Sequence, residues 1–296
     1  MCIRDRPIPS KRINFTKPTV DNGTQLPTDK SDIVINISVT DYNLSEITFN
    51  LDGTNYTFYN ESLVLYYSFD NNSELGECTN WDCPVYDLSP HKIHGNLSNR
   101  SGAGPVESNL PHFITAHCPF GGCVNFSTTD SDANGQSIMI NHTEILNPQA
   151  NDFAMMFWFN CTSALDTDIS RKGSTNTHHG LGWYKMEIGG YGEANKLSLQ
   201  FRTNISPSAG FDVCTLQSNT DFCDGKWHFG LGQRVSGTAE LWVDGIQRTD
   251  YTVGEGDSTC VGTINNTANL TIGSKDTQDD DFFNGSIDER KFFYHP

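Results

Sequence analysis

Between Asp224 and Gly245 the chain spells out two strands and the turns that bound them. Asp224-Gly225-Lys226-Trp227-His228-Phe229-Gly230-Leu231 and Ala239-Glu240-Leu241-Trp242-Val243-Asp244-Gly245 each alternate apolar and polar positions. That is the period of a half-buried strand, whose successive side chains point to opposite faces. Asp-Gly dipeptides bracket the pair, and Val235-Ser236-Gly237-Thr238 can reverse the chain between the two runs. A hairpin of this kind needs further strands on either side to be stable.

The rest of the chain supplies them. Leu63-Val64-Leu65-Tyr66-Tyr67-Ser68-Phe69-Asp70 is an apolar strand ending in a carboxylate, and Gly121-Gly122-Cys123-Val124-Asn125-Phe126 is a strand opened by two glycines. Phe153 to Phe159 is apolar on both faces, which places it between two layers. Lys196 to Arg202 alternates, and Gly285 to Phe293 closes the chain's pattern. No long segment shows a 3.6-residue period. Many short strands joined by long loops predict an all-β, two-sheet antiparallel jelly-roll sandwich.

Organisation follows from composition along the chain. Met1 to Arg6 has no apolar stretch for a signal peptide and reads as a scar of assembly or cloning; residues 7–30 are polar and rich in Pro and Thr, so 1–30 is expected to be scar plus disordered linker. Residues 31–61 contain three strand-like runs, 33–39, 47–51 and 54–59, expected as a short β meander, a remnant of an immunoglobulin-like sandwich or a lean-to on the main domain. The main domain is expected over 62–296. Because the chain stops right after a strand-like run, a fragment of a longer surface protein is expected.

Charge and modification signals narrow the function. The net charge is −17, which argues against nucleic acid, whose phosphates demand a basic face. No run approaches the length of a membrane-spanning helix. Sixteen Asn-x-Ser/Thr sequons are present where chance predicts about four or five. Twelve fall at Asn36, Asn43, Asn55, Asn60, Asn71, Asn96, Asn99, Asn125, Asn141, Asn265, Asn269 and Asn284, the others at Asn14, Asn22, Asn160 and Asn204. They predict an N-glycosylated extracellular or cell-surface protein. Nine cysteines agree with an oxidising setting. Proximity pairs Cys78 with Cys83, Cys118 with Cys123 and Cys214 with Cys223; Cys161 is left for Cys260, and Cys2 is over.

Seven motifs in order carry a family resemblance: Leu65-Tyr66-Tyr67-Ser68-Phe69-Asp70; Asp87-Leu88-Ser89 with Gly95-Asn96-Leu97; Gly121 to Phe126; Phe157-Trp158-Phe159; Asp224-Gly225-Lys226-Trp227-His228; Leu241-Trp242-Val243-Asp244-Gly245; and Ile272-Gly273 with Gly285-Ser286-Ile287-Asp288-Glu289. Over residues 62–296 the chain resembles a laminin G-like domain of the concanavalin A-like lectin/glucanase superfamily. The final strand departs slightly from the family's Ile-Asp-Glu-Val-Arg-Ile-Tyr at Arg290-Lys291. The resemblance implies a module that binds glycans or proteins, or acts as a spacer. With its dense sequons and preceding meander, the chain is similar to repeat modules of prokaryotic, especially archaeal, surface proteins.

The resemblance also implies a structural Ca²⁺ held by Asp288, Asp70 and the carbonyl of Gly122; the alternative is that Asp288 hydrogen-bonds a turn or pairs with Arg290. Asp279-Asp280-Asp281 is a second acidic place, more simply a solvated loop. For glycans, aromatic faces with nearby polar groups are needed. Trp183, Tyr184, Tyr191 and Trp242 are the candidates, against the alternative that they are core. Catalysis is not expected: Asp288 and Glu289 are adjacent and should point to opposite faces, and no Glu-x-Asp-x-x-Glu run, Gly-x-Ser-x-Gly or His-Glu-x-x-His occurs. His178-His179 lacks a third ligand nearby. The expected function is a non-catalytic recognition or adhesion module for a glycan or a cell-surface protein. A structural repeat of a glycosylated cell-surface layer, filament or stalk, contacting neighbouring copies, is the second reading, and a divergent glycoside hydrolase the third.

Overall fold

In the computed structural model the described residues are 12–16, 19, 36–40, 44, 46–51, 53–73, 75–77, 84–99, 110–127, 135–164, 166–173, 180–190, 193–206, 210–248, 251–253, 259, 261–275 and 281–294. They belong to two compact units, Met1–Thr57 and Phe58–Pro296. The described residues of the first unit form two antiparallel ladders: β1 (Arg12–Thr16) pairs with β2 (Asn36–Thr40), and β3 (Ile47–Leu51) pairs with β4 (Thr54–Tyr59), whose last two residues belong to the second unit. Among the described residues, the runs expected as a short meander fall into these two ladders. Arg12–Thr16, expected as linker, is a strand because it finds a partner in register, Phe15 facing Ile37 and Ile13 facing Val39.

The strands that follow are β5 (Leu63–Tyr67), β6 (Pro84–Val85), β7 (Gly95–Asn99), β8 (His112–Ile114), β9 (Cys123–Phe126), β10 (Gln136–Ile140), β11 (Phe153–Asn160) and β12 (Thr167–Lys172). After them come β13 (Gly180–Leu181), β14 (Trp183–Ile188), β15 (Lys196–Ser206), β16 (Gly210–Asp221), β17 (Trp227–Val235) and β18 (Thr238–Val243). The chain finishes with β19 (Ile246–Gln247), β20 (Tyr251–Val253), β21 (Asn265–Asn266), β22 (Leu270–Ile272) and β23 (Gly285–Tyr294). Two large antiparallel sheets result. One has nine strands in the order β20-β16-β15-β14-β12-β22-β10-β7-β6, and the other has eight, in the order β19-β18-β17-β11-β23-β9-β8 with β5 paired to β23. The expected jelly-roll sandwich is the observed fold.

The alternation read from the sequence explains which side chains fill the space between the sheets. Leu197, Leu199 and Phe201 of β15 and Tyr184, Met186 and Ile188 of β14 face inward, and all are fully buried. They meet Phe153, Phe157 and Phe159 of β11 and Leu241 and Val243 of β18. Phe153 anchors an aromatic group, with ring centroids 5.7 Å from Tyr184, 5.7 Å from Phe201 and 5.8 Å from Phe292. The sheets approach so closely at β17 that a Cβ on Gly232 would stand 2.8 Å from Leu199 Cδ1 and 2.9 Å from Met186 Sδ. Interiors packed to crystal density leave no room for that methyl.

The hairpin of Asp224 to Gly245 is β17–β18, with Gly230 opposite Val243 and Val235 opposite Thr238. His228 fastens both of its ends: Nδ1 lies 2.8 Å from Asp244 Oδ2 and Nε2 lies 3.1 Å from Asp224 Oδ1. Asp244 Oδ1 also accepts the Phe229 backbone N–H at 2.9 Å. These residues are scaffold.

The disulfides correct part of the expected pairing. Cys118–Cys123 is formed. Cys161 bonds Cys223, with Cα atoms 4.5 Å apart, so neither Cys161–Cys260 nor Cys214–Cys223 exists. The cause is sheet topology. Asn160, at the end of β11, lies opposite Trp227 at the start of β17, which brings the flanking segments together across 62 residues of sequence. Cys214 is also disulfide-bonded, to a partner outside the described residues. Cys78 and Cys83 lie outside them too.

Candidate functional site

Two places on the sandwich hold polar chemistry that the fold alone does not require. The first is an acidic corner where β5, β9 and β23 meet. β5 runs into Phe69, Asp70 and Asn71, and Phe69 (φ 58°) and Asn71 (φ 52°) take left-handed backbone conformations. Gly121 (φ 52°) and Glu289 (φ 51°) do the same beside them. Non-glycine residues pay for this conformation, and such outliers gather at ligand clamps. Gly122 donates its N–H to Asp70 Oδ1 at 2.9 Å, and a Cβ on Gly122 would meet Asp70 Cα and Phe69 O at 2.9 Å. The two backbones therefore touch, as only glycine allows.

Asp288 closes the corner. It is fully buried; Oδ1 accepts the Glu289 N–H at 2.8 Å and Oδ2 the Phe120 N–H at 3.3 Å. Burial, followed by repulsion from Glu289, pushes its carboxyl up to about 8, against the pull of its two backbone donors; Asp70 adds further repulsion. Among the described residues no cationic side chain pairs with it. Arg290, the alternative partner, instead enters the interior, where it donates to Ser170 Oγ at 3.1 Å and to Lys291 O.

The reason is a β-bulge. Met156 faces Lys291 and Trp158 faces Asp288, so Phe157 alone opposes Glu289 and Arg290. The simple alternation that would send Asp288 and Glu289 to opposite faces fails here. Glu289 stays at the rim, accepting from Tyr66 Oη at 3.0 Å.

Ca²⁺ binds through hard oxygens, mixing carboxylates with carbonyls. The donor types present are of that kind: a buried carboxylate with like-charged neighbours, backbone carbonyls in the touching chains at Asp70 and Gly122, and Asn71 Oδ1, shielded from solvent without a hydrogen-bond partner among the described residues. No cluster of three or more His, Cys, Asp or Glu side chains among the described residues could hold a metal unaided, so backbone oxygens would have to complete the set. Beside the corner lies an aromatic shelf on the outer face of the eight-stranded sheet. Phe120, 49% exposed, sits 5.6 Å from Trp158, which sits 5.6 Å from Phe229.

The second place is the outer face of the nine-stranded sheet. A bulge between Asp168 and Ser170 brings Asp168 and Arg171 to the same face. Arg171 Nη1 donates to Asp168 Oδ2 at 2.7 Å, and Lys185 Nζ lies 3.6 Å from Asp168 Oδ1 and against Glu187. Gln200 Nε2 donates to the other Glu187 oxygen. Asp281 accepts from Arg171 at 3.4 Å, so the end of the acidic run is engaged rather than merely solvated.

Burial, opposed by Lys185 and helped by Asp168, pushes the Glu187 carboxyl up to about 7. Burial pulls the Lys185 ammonium down, but Asp168 and Glu187 more than offset it, and the group is held above its ordinary value. Apart from Asp281, none of this network was singled out in the sequence. Its signal was there in the polar alternate positions Lys185, Glu187, Ser198, Gln200, Thr215 and Gln217, opposite an apolar face.

The four aromatic candidates separate. Tyr184 is core: it is fully buried, its ring is 5.5 Å from Phe292, and Oη donates to Leu146 O at 2.9 Å. That overturns its reading as an exposed ligand residue, because its neighbours Trp183 and Lys185 take the outer positions of β14. Trp183 faces outward but is only 7% exposed, with the Arg171 guanidinium 5.9 Å from its ring. Trp242 is half-buried on the outer face of the eight-stranded sheet and donates Nε1 to Glu240 Oε2 at 3.1 Å. Tyr191 lies outside the described residues, as do His178 and His179.

Of the sequons, Asn55, Asn96, Asn141, Asn265 and Asn284 are exposed, and Asn60, Asn71 and Asn269 are half-buried. Asn125 already donates Nδ2 to Ser286 Oγ at 2.9 Å, and Asn99 is 9% exposed, so glycan attachment there would displace packing. Asn36 lies in β2, and Asn43 is outside the described residues.

Comparison with known proteins places this geometry. A family model of the concanavalin A-like lectin/glucanases superfamily, the laminin G-like group, matches residues 132–296. No curated protein matches the chain. Among solved structures, domain 4 of an extracellular GH43 arabinanase from Geobacillus stearothermophilus, in complex with arabinotriose, is 13% identical with a TM-score of 0.49, covering 79% of this chain and 92% of that one. The binding domain of Paraclostridial Mosquitocidal Protein 1 is 12% identical with a TM-score of 0.47, covering 79% of this chain and 49% of that one. This chain thus spans about half of that binding domain's length. Domains LG4-5 of the mouse laminin alpha1 chain are 14% identical with a TM-score of 0.36, covering 62% of this chain and 41% of that one. The family model covers more than half of the residues, and strands from Leu63 onward complete the same two sheets, so the chain belongs to the laminin G-like family of the concanavalin A-like lectin/glucanases superfamily.

Proposed function

We propose that this protein is a non-catalytic, extracellular recognition module that engages a glycan or a glycan-bearing surface protein at the acidic corner, with a bound Ca²⁺ completing the site. The observation that carries the reading is the state of Asp288: a fully buried carboxylate, pushed up to about 8, among other acids and four left-handed residues. An uncompensated buried charge is costly unless it is neutralised or bound to a metal. Asp288, with the carbonyls of Asp70 and Gly122, would hold the ion. Calcium there supplies a positive charge able to receive hydroxyl or carboxylate oxygens. The Phe120–Trp158–Phe229 shelf offers rings on which a sugar face can stack.

Sequon density and disulfides support an extracellular or cell-surface setting for the module. The non-catalytic part of the reading rests on the carboxylates. Asp168 and Glu187 face each other across β12 and β14, but Lys185 is ion-paired to both, so they are not free to flank a glycosidic bond. A glycan array run on the full chain tests the proposal, once with calcium and once with EDTA. Calcium-dependent binding to one or more glycans is expected; no binding in either condition would refute recognition of glycans.

A further inference from the structure

The disulfide Cys118–Cys123 closes a ring of chain at the acidic corner. Ile114 of β8 lies opposite Cys123 of β9, so the bond sits at the base of the turn that joins these strands. Only Pro119, Phe120, Gly121 and Gly122 stand between the two cysteines. Phe120 donates its N–H to Asp288 Oδ2 at 3.3 Å, and Gly122 donates its N–H to Asp70 Oδ1 at 2.9 Å. Gly121 packs so closely on Asp70 that a Cβ there would stand 2.1 Å from Oδ1. The Phe120 ring lies 5.6 Å from Trp158 on the aromatic shelf. One covalent ring therefore carries backbone donors to both carboxylates of the corner.

The two disulfides with both ends described differ in access. Cys161 and Cys223 are 2% and 6% exposed, at the join of β11 and β17. Cys123 is fully buried, but Cys118 is half-buried beside Thr115, Ala116, His117 and Phe120, all exposed. Thiol–disulfide exchange depends on which sulfur a thiolate can reach. A dithiol attacking at Cys118 forms a bond to its Sγ, breaks the Sγ–Sγ bond and releases Cys123 as the thiolate. The second thiol of the reagent then displaces Cys118 and closes the reagent's own disulfide. Two electrons pass from the dithiol to the protein, which keeps two free thiols. Residues 119–122 then regain backbone freedom, which opposes holding both N–H groups on their acceptors.

We propose that Cys118–Cys123 is a redox latch on the acidic corner. Reduction by a dithiol frees residues 119–122, withdraws their donors from Asp70 and Asp288, and weakens the corner's hold on Ca²⁺. The last step rests on the calcium reading above. Linkage makes the effect reciprocal, so bound Ca²⁺ protects the bond from reduction by the same factor.

The test compares the full chain before and after a dithiol dose at which alkylation and peptide mass spectrometry find only Cys118 and Cys123 free. Hydrogen exchange is read in EDTA, and Ca²⁺ affinity by calorimetric titration. On reduction the Phe120 and Gly122 amides should exchange about tenfold faster or more, and Ca²⁺ should bind about tenfold more weakly, the scale of re-ordering one residue's backbone. Cys118→Ala combined with Cys123→Ala should match the reduced chain and ignore the dithiol. Unchanged exchange after reduction would overturn the proposal, as would equal Ca²⁺ affinity in the oxidised and reduced chains. A Cys118–Cys123 bond that yields only together with Cys161–Cys223 would overturn it too. Faster exchange with no Ca²⁺ binding in any form would support the latch and refute the calcium reading.

Discussion

Asp288 is the residue on which the proposed function rests, and its burial has a cost in stability. Its carboxyl is pushed up to about 8, first by burial and then by Glu289. In the unfolded chain it would ionise near its ordinary value, around 4. Between those limits the folded state binds the extra proton, so stability without metal should fall as pH rises from about 4 to about 8. Asp288→Asn removes that charge while keeping the shape. In EDTA at pH 8 the variant should therefore melt higher than the parent protein, and the gap should close towards pH 4. Thermal melts across that range check it; a variant that melts lower at pH 8 would mean the carboxylate is already satisfied.

Tyr184 makes the opposite case. Adjacent aromatics looked equally available in the sequence, yet the strand's alternation sends Trp183 outward and Tyr184 into the stack with Phe153 and Phe292. Tyr184→Ala should cost about 3–5 kcal/mol in chemical denaturation, as other large aromatic truncations in cores do. A cost under about 1 kcal/mol would place the ring outside the core.

At the scale of elements, irregularities rather than strands decide the sites. Period-two alternation made β15, β17 and β18 readable, and apolar runs marked β5 and β11, although β11 keeps only one face in the core, with Met156 and Trp158 half-buried on the other. The bulges at Glu289 and between Asp168 and Ser170 were not readable, since a bulge inserts one residue without changing composition. Both matter: one turns Arg290 inward and leaves Asp288 at the corner, and the other joins Asp168 to Arg171.

Glu289 sits at φ 51°, where a β-branched residue is strongly disfavoured. Glu289→Val should destabilise the domain by about 1–3 kcal/mol, read by urea titration, whereas an unchanged midpoint would argue against the bulge. The Cys161–Cys223 bond was missed for a related reason. Proximity in sequence favours local pairs, while the bond formed spans 62 residues because β11 and β17 are neighbours. Replacing both cysteines by alanine should cost about 2–5 kcal/mol. The same cost from a Cys214→Ala and Cys223→Ala pair, with Cys161→Ala silent, would contradict this connectivity.

For the whole molecule, the sandwich was legible because turn dipeptides, alternation and the order of seven motifs all agreed on it. The acidic corner was half legible: Asp70, Gly122 and Asp288 came from the resemblance, but the left-handed backbone and the burial that give them meaning exist only once β5, β9 and β23 are joined. The polar layer of the nine-stranded sheet was not recognised, because Lys, Gln and Ser at alternate strand positions look like ordinary solvent-facing residues until their burial is known. Charge fits the same picture. A chain with net charge −17 that gathers carboxylates around a buried acid has the electrostatics to attract a divalent cation.

The most direct measurement is a calorimetric titration of Ca²⁺ into metal-stripped full-length chain at pH 7.5, alongside Asp288→Asn. The account predicts saturable binding to the parent protein, with an observed heat that varies with the buffer's ionisation heat because a proton is released, and loss of that binding in the variant. Binding of the same strength in both proteins, or no heat in the parent protein, would contradict it.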